Sequence, residues 1–85
     1  MAKVSMYTSK FCGYCRHAEQ LLHRKGVTTI DKIAVDVAPR AREAMIARTG
    51  RRTVPQIYVG TVHVGGYDDL VALDHAGRLD EMLSG

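Results

Sequence analysis

The sequence contains few of the residues that cross-link a fold or span a membrane. Its 85 residues include two cysteines, two prolines, one phenylalanine and no tryptophan. Two cysteines are too few for a disulfide-rich scaffold, and no run approaches the roughly 18 apolar residues that a membrane span needs. The first residues lead directly into an apolar stretch without the pattern of a signal peptide. We therefore expect a cytosolic (cytoplasmic) protein that does not associate with membranes.

What is present is the composition of an ordinary globular domain. Apolar residues make up 46% of the chain and charged residues 25%, which excludes a disordered or fibrous protein. A chain of this length has room for one hydrophobic core, so residues 1–85 are predicted to form a single domain. The net charge of +3 is mild, and without aromatic–basic interleaving or a recognised motif it does not indicate nucleic-acid binding.

Hydrophobic periodicity predicts a strand followed by a helix in the first part of the chain. Residues 3–8 alternate between apolar and polar side chains, as in a short strand. Apolar residues from Tyr14 to Leu22 then recur at helical spacing, and Gly26 ends this helix as its C-terminal cap.

The rest of the chain repeats this alternation and then closes with a hairpin and a helix. The predicted elements are a strand over 30–37, a helix over 39–49, strands over 54–59 and 62–64, and a final helical stretch that opens at Gly65-Gly66. Gly60-Thr61 suits a type II′ hairpin turn between the last two strands. The predicted order is βαβαββα, an α/β fold whose first two strands are parallel with a right-handed crossover.

A Cys-X-X-Cys pair lies where the first strand gives way to the first helix. Cys12 is expected at the helix N-terminus, where free N–H groups and the positive end of the helix dipole favour a thiolate and Lys10 adds a cation. The spacing of three places Cys15 on the same helical face, where it can attack a mixed disulfide formed at Cys12. The pair predicts a redox site with Cys12 as nucleophile and Cys15 as resolving thiol.

Other uses of such a pair compete with this interpretation. A zinc site needs about four ligands, whereas the chain has no second cysteine pair and its four histidines lack ligand spacing. Haem attachment needs a histidine directly after the second cysteine, where Arg16 stands. Two inert cysteines are the remaining alternative. Redox chemistry is favoured, no metal site is predicted, and the histidines are assigned to the surface or to packing.

Three motifs in this order resemble the glutaredoxin family: residues 10–15 (KFCGYC), residues 53–55 (TVP) and residues 65–69 (GGYDD). The resemblance extends over essentially the whole chain, and within the family it is strongest to the small bacterial dithiol glutaredoxins. The resemblance implies a thioredoxin-like fold, with a four-stranded mixed sheet flanked by three helices. It also implies a glutathione-dependent thiol–disulfide oxidoreductase, with glutathione as co-substrate and glutathionylated or disulfide-containing proteins as clients. We expect a monomer.

The resemblance implies a glutathione site beside Cys12. The backbone of Val54 is expected to pair with the cysteinyl part of glutathione, with a cis bond into Pro55 and with Thr53 lining the same cleft. Without the family context, a trans bond is the usual state of such a proline. Tyr14 is expected to form a wall of the cysteinyl pocket, although an aromatic residue at helical spacing also fits the core.

The two ends of glutathione are assigned by the same resemblance. The backbone N–H of Asp68 is expected to bind the γ-glutamyl carboxylate and the Asp69 side chain its ammonium group, next to Gly66, where the backbone can approach a ligand closely. Both aspartates also suit a helix cap. Lys10 and Arg42 are the expected partners of the glycyl carboxylate, although Arg42 belongs to a basic stretch that equally fits a solvated surface.

Gly13 departs from the family pattern, because many dithiol members have proline at this position. Some members without that proline bind a [2Fe–2S] cluster between two monomers, using the nucleophilic cysteine of each, here Cys12, and two glutathiones. An iron–sulfur carrier is therefore an alternative function. A redoxin that takes electrons from thioredoxin reductase is a third, against which Lys10, Asp68 and Asp69 argue.

Overall fold

The computed structural model describes all 85 residues, which form one four-stranded sheet and four helical segments. In chain order the elements are β1 (Val4–Thr8), α1 (Gly13–Arg24), β2 (Ile30–Ala34), α2 (Ala41–Thr49), β3 (Gln56–Val59), β4 (Val62–Gly65), α3 (Tyr67–His75) and α4 (Leu79–Ser84). No helix has both the length and the apolar composition that crossing a membrane requires.

The sheet is mixed, with the strand order β2-β1-β3-β4. β1 pairs in parallel with β2 and antiparallel with β3, and β3 pairs antiparallel with β4. The parallel pair predicted from the order of elements and the mixed sheet implied by the resemblance are confirmed. Gly60, between β3 and β4, has a φ of +61°, which a type II′ turn requires at its first central residue.

The core lies on both faces of the sheet because β1 alternates its side chains between them. Val4 and Met6 point to the larger cluster, whereas Tyr7 points to the smaller one. The larger cluster includes residues of α1, α3 and α4, and the smaller includes Met45 of α2. Met6 and Met45 are fully buried, and Met82 is partly buried and packs against the larger cluster.

The predicted C-terminal helix is divided in two, so the fold has four helical segments where three were expected. α3 ends at His75, and Gly77 adopts a φ of +73°, a left-handed conformation that a continuing helix does not allow. The N–H of Arg78 donates to the carbonyl of Leu73 at 3.1 Å, which completes the turn. The break lets Leu79 and Leu83 of α4 return to the core.

Two boundaries near the second strand also differ from the predicted ones. β2 ends at Ala34 and not at residue 37, because the N–H groups of Val37 and Ala38 turn back to the carbonyl of Ala34. α2 begins at Ala41 and not at Pro39. Likewise, β3 begins only at Gln56, so residues 54 and 55 form a connecting segment and are free to line a site.

Candidate active site

Cys12 is the N-cap residue of α1. Its backbone is extended (φ −128°, ψ 106°), and its sulfur accepts a hydrogen bond from the N–H of Cys15 at 3.1 Å. This N–H is one of the groups that a helix leaves unpaired at its first turn, and such a donor stabilises negative charge on sulfur. The side chain is half-buried, so the sulfur can be reached from outside.

Cys15 lies one turn further into the helix and is only 2% exposed. Burial raises the pKa of the Cys15 thiol, and its hydrogen bond with Cys12 raises this pKa further. The two cysteines therefore differ in access: the Cys12 sulfur can be reached from outside, whereas the Cys15 sulfur is buried and held as a protonated thiol.

The Val54–Pro55 segment faces the reachable sulfur. The peptide bond between these two residues is cis, as the resemblance implied. The Cys12 thiol donates to the carbonyl oxygen of Val54 at 3.8 Å, across 42 residues of sequence. The backbone of Val54 and the nucleophile thus lie side by side.

A cleft of about 300 Å³ opens beside Val54. Its volume is at the lower end of the range typical of small-molecule sites. Seven of the residues predicted for the glutathione site line it: Tyr14, Thr53, Val54, Pro55, Gly66, Asp68 and Asp69. The fold thus gathers residues of α1, the segment before β3 and the start of α3 around one cavity next to Cys12.

The carboxylate of Asp69 is held at the far end of this cleft. It accepts hydrogen bonds from the N–H of Gly66 at 2.8 Å and from the guanidinium of Arg51 at 3.0 Å. Both hydrogen bonds lower the pKa of Asp69, and the bond from Gly66 has the larger effect. Gly65 has a φ of +115°, and a side chain there would collide with this carboxylate. Asp69 therefore caps α3, which was the alternative role considered from sequence, and it also lines the cleft.

Comparison with known proteins identifies the family of the chain. The family model described as Glutaredoxin matches residues 4–64, which include Cys12, Cys15 and the Val54–Pro55 segment. The chain belongs to the glutaredoxin family. It is 49% identical over 84 residues to a glutaredoxin of Neisseria meningitidis serogroup A, an alignment that covers 99% of each chain. It is also 48% identical over 83 residues to glutaredoxin 3 of Escherichia coli K12, covering 98% and 99%.

Solved glutaredoxin structures share the fold. A buckwheat glutaredoxin–glutathione complex matches with a TM-score of 0.89 at 28% identity, covering 98% of this chain and 77% of that one. The solution structure of a Brucella melitensis glutaredoxin matches with a TM-score of 0.84 at 47% identity, covering 98% and 89%. The thioredoxin-like architecture expected from the motifs is confirmed.

Two residues predicted for the glutathione site, Lys10 and Arg42, lie outside the cleft. Lys10 lines a separate cavity of about 410 Å³, which Cys12 and Cys15 also line. Its backbone N–H is held by Asp36, and its ammonium group lies 5.7 Å from the ring centre of Phe11. Arg42 lines neither cavity, because its guanidinium donates to the carbonyl of Arg52 at 3.3 Å. The structure therefore keeps Lys10 near the nucleophile and does not bring Arg42 to it.

Two cleft residues were missed from sequence. Tyr67 forms part of the wall, with its ring centre 5.9 Å from that of Tyr14 in a stacked arrangement. Its position between Gly66 and Asp68, both predicted for the glutathione site, could have indicated that Tyr67 lines the cleft as well. Arg51 lines the cleft through its ion pair with Asp69, and those two residues are 18 positions apart. No local pattern distinguishes Arg51 from the other arginines around it.

Proposed function

We propose that the protein is a glutathione-dependent thiol–disulfide oxidoreductase with Cys12 as nucleophile and Cys15 as resolving thiol. The observation that carries this proposal is the position of the Cys12 sulfur. It is accessible, it accepts the N–H of Cys15 at 3.1 Å, and it lies 3.8 Å from the Val54 backbone at the edge of a ligand-sized cleft. Membership of the glutaredoxin family supports the same conclusion.

The reaction on a glutathionylated client needs only Cys12. Its thiolate attacks the glutathionyl sulfur, the client–glutathione disulfide breaks, and the client leaves as a thiolate that takes up a proton. Glutathione is then joined to Cys12 by a disulfide. A second glutathione attacks as its thiolate, leaves as glutathione disulfide and regenerates the Cys12 thiolate. One sulfur of the glutathione disulfide comes from the glutathionyl group of the client, and the other comes from the second glutathione, so one free glutathione is consumed per client.

The reaction on a client disulfide also uses Cys15. After Cys12 has formed a mixed disulfide with the client, Cys15 loses its proton and attacks the Cys12 sulfur, releasing the client and forming the Cys12–Cys15 disulfide. Two glutathiones then reduce this disulfide. The raised pKa of Cys15 slows its attack, which leaves time for a second glutathione to resolve a glutathione–Cys12 disulfide instead.

We propose that the cleft holds glutathione in one orientation. The backbone of Val54 pairs with its cysteinyl part, between Thr53, Pro55 and the ring of Tyr14. The N–H of Asp68 binds the γ-glutamyl carboxylate, and Asp69 beside Gly66 binds the ammonium group. The lining of the cleft supports this assignment. A buckwheat relative of the same fold has been solved as a glutathione complex.

The glycyl carboxylate then lies on the Lys10 side of Cys12. Lys10 is exposed and lines the cavity that adjoins the nucleophile, so its ammonium can meet a carboxylate there. Arg42 lies outside both cavities, with its guanidinium bonded to the carbonyl of Arg52.

The decisive test is turnover of a glutathionylated peptide with glutathione, coupled to glutathione reductase. The wild type and Cys15→Ser are expected to turn over, whereas Cys12→Ser is expected to be inactive. No activity in any of the three proteins would overturn the proposal. Activity that depends on thioredoxin reductase and not on glutathione would support the third alternative.

An iron–sulfur carrier is the second candidate, and the position of Gly13 favours it. Gly13 is the first residue of α1, and no atom lies within 4 Å of where its side chain would be, so the turn beside Cys12 is open. No group of three or more histidine, cysteine, aspartate or glutamate side chains lies together in the chain. The family resemblance implies instead that a [2Fe–2S] cluster would take its ligands from Cys12 of two copies and from two glutathiones.

Anaerobic reconstitution with iron, sulfide and glutathione tests this alternative. A cluster-bridged dimer should show visible iron–sulfur absorption and twice the monomer mass, and Gly13→Pro, which makes the turn rigid, should lose both. A colourless monomer in the wild type would exclude the carrier function.

A further inference from the structure

Gln56 is the only buried residue with an amide or charged side chain. It begins β3 directly after Pro55, and it is 0% exposed. A buried amide is stable only when its donor and acceptor are both paired. Every buried polar side-chain atom of this protein has a partner, so the partners of Gln56 show what this amide does.

The amide of Gln56 is bonded on both sides. Its Nε2 donates to the carbonyl oxygen of Thr53 at 2.9 Å and lies 3.4 Å from the Thr53 hydroxyl. Its Oε1 lies 2.8 Å from Nε2 of His63 on β4. A carbonyl can only accept, so the amide NH₂ must face Thr53 and its oxygen must face the histidine. His63 therefore carries a proton on Nε2 and donates it to Gln56.

His63, at the other end of this series of hydrogen bonds, is also held in place by its neighbours. Its ring stacks on Tyr58, its cross-strand partner, with the ring centres 5.0 Å apart. Burial lowers the pKa of His63, and the charge of Arg51 lowers it further. The ring is thus a neutral donor held in one orientation, between two strands of the sheet.

The Thr53 carbonyl matters because it shares a peptide unit with the Val54 N–H. A peptide unit is planar, and Val54–Pro55 is the only cis bond in the chain, so the Thr53–Val54 bond is trans. In a trans unit the C=O and N–H point in opposite directions. A carbonyl bonded to Gln56 therefore directs the N–H of Val54 away from Gln56, and Val54 is one of the residues that line the cleft. That N–H has no acceptor within the chain.

We propose that His63 and Gln56 are positioning residues, which hold the Thr53–Val54 peptide so that the Val54 N–H is presented to glutathione. The proposal rests on the proposed function of the cleft and extends it to two residues that line no part of the cleft. Neither side chain touches the ligand. Their effect is on the affinity for the glutathionyl group and not on the reactivity of the Cys12 sulfur.

Four variants separate a positioning role from a structural one. His63→Phe keeps a ring to stack on Tyr58 and removes the donor, whereas His63→Gln keeps an amide donor at a similar reach. Gln56→Met preserves length and removes both hydrogen bonds. His75→Phe is the matched control, because His75 is exposed at the end of α3. For each we measure kcat and KM for a glutathionylated peptide, the rate of Cys12 alkylation by iodoacetamide, and thermal unfolding.

We expect His63→Phe and Gln56→Met to raise KM about three- to tenfold, the effect of one lost hydrogen bond. The alkylation rate of Cys12 should stay within about twofold. His63→Gln should restore most of the affinity, and His75→Phe should match the wild type. Should Gln56→Met fail to fold, the contrast between His63→Phe and His63→Gln decides.

Two results would overturn the proposal. One is a folded His63→Phe with the wild-type KM. The other is a His63→Gln no better than His63→Phe. A wild type that does not turn over with glutathione refutes the proposed function instead, so the two failures are distinguishable.

Discussion

At the scale of single residues, the two cysteines differ because one helix turn separates their environments. Cys12 is the N-cap residue of α1, and Cys15 lies one turn further into the helix and is 2% exposed. Burial raises the pKa of Cys15, so its thiolate is scarce at neutral pH and its sulfur is hard to reach. The same Cys-X-X-Cys spacing thus gives one accessible sulfur and one buried thiol with a raised pKa.

This difference predicts selective alkylation. With a limiting amount of iodoacetamide at pH 7, Cys12 should be modified first and Cys15 only after the protein is unfolded, because the reagent needs an accessible thiolate. Peptide mass spectrometry distinguishes the two sites. Cys15→Ser, which leaves Cys12 as the only thiol, should be modified at a rate close to that of the wild type. Faster modification of Cys15 than of Cys12 would contradict the assignment.

Asp69 predicts a specific dependence of stability on pH. Its hydrogen bonds to Gly66 and Arg51 lower its pKa below the ordinary value of 3.8. The folded protein thus binds this proton less readily than the unfolded chain, and the stabilisation is present above pH 3.8 and lost as the pH falls through the lowered pKa. The difference in unfolding free energy between wild type and Asp69→Asn should therefore shrink below about pH 4.

Urea unfolding at a series of pH values measures this difference. Glu43→Gln is a suitable control, since Glu43 is exposed and lies outside the cleft. A difference for Asp69→Asn that is constant from pH 2 to pH 7 would show that the hydrogen bonds to Gly66 and Arg51 do not lower the pKa of Asp69.

At the scale of elements, α1 begins with a residue that does not need to be glycine. Gly13 has no positive φ, its side-chain direction is open, and the preceding Cys12 is extended, as a residue before proline prefers. Gly50, at the end of α2, is different because its φ is +71°. Two glycines at helix ends thus have opposite tolerance for side chains.

Gly13→Pro should therefore stabilise the protein by about 0.4–1 kcal/mol, because proline restricts the unfolded chain and fits the first position of a helix. Gly50→Ala should destabilise it by about 1–2 kcal/mol, since alanine is strained in the left-handed region. Chemical denaturation with both variants measures the two changes. A loss of stability in Gly13→Pro would mean that the start of α1 is not as regular as described.

At the scale of the whole molecule, α4 closes the core that begins with β1. Leu79 and Leu83 belong to the cluster that contains Val4, and the N–H of Ala2 donates to the carbonyl of Leu83 at 2.8 Å. Lys25, after α1, forms ion pairs with Asp74 at 2.7 Å and with Asp80 at 3.3 Å, on both sides of the break between α3 and α4. The two ends of the chain are thus packed together.

Leu79→Ala should cost about 2–5 kcal/mol of stability, because Leu79 is fully buried and its removal leaves a cavity. Val62→Ala is the control, since Val62 is 53% exposed, and it should change stability by no more than about 0.5 kcal/mol. The folded fraction of Leu79→Ala should retain the wild-type rate of Cys12 alkylation. A small effect of Leu79→Ala on unfolding would show that α4 does not complete the core.

Sequence alone determined the features that depend on neighbouring residues. Alternation in β1, helical spacing in α1 and the glycine stops predict the order of elements. The place of Cys12 at a strand-to-helix junction predicts that it is the nucleophile, because a helix N-terminus is defined by neighbouring residues. The motif at residues 65–69 likewise predicts Gly66, Asp68 and Asp69 as cleft residues, through resemblance.

Only the tertiary structure decided which distant groups meet. It paired Arg51 with Asp69, joined His63 to Thr53 through Gln56, and left Arg42 away from the cleft. It also divided the last helix, because Leu79 and Leu83 must turn back to fill the core. Such contacts join elements that are far apart in the chain. Their geometry follows from sheet order and packing, which no local pattern of residues specifies.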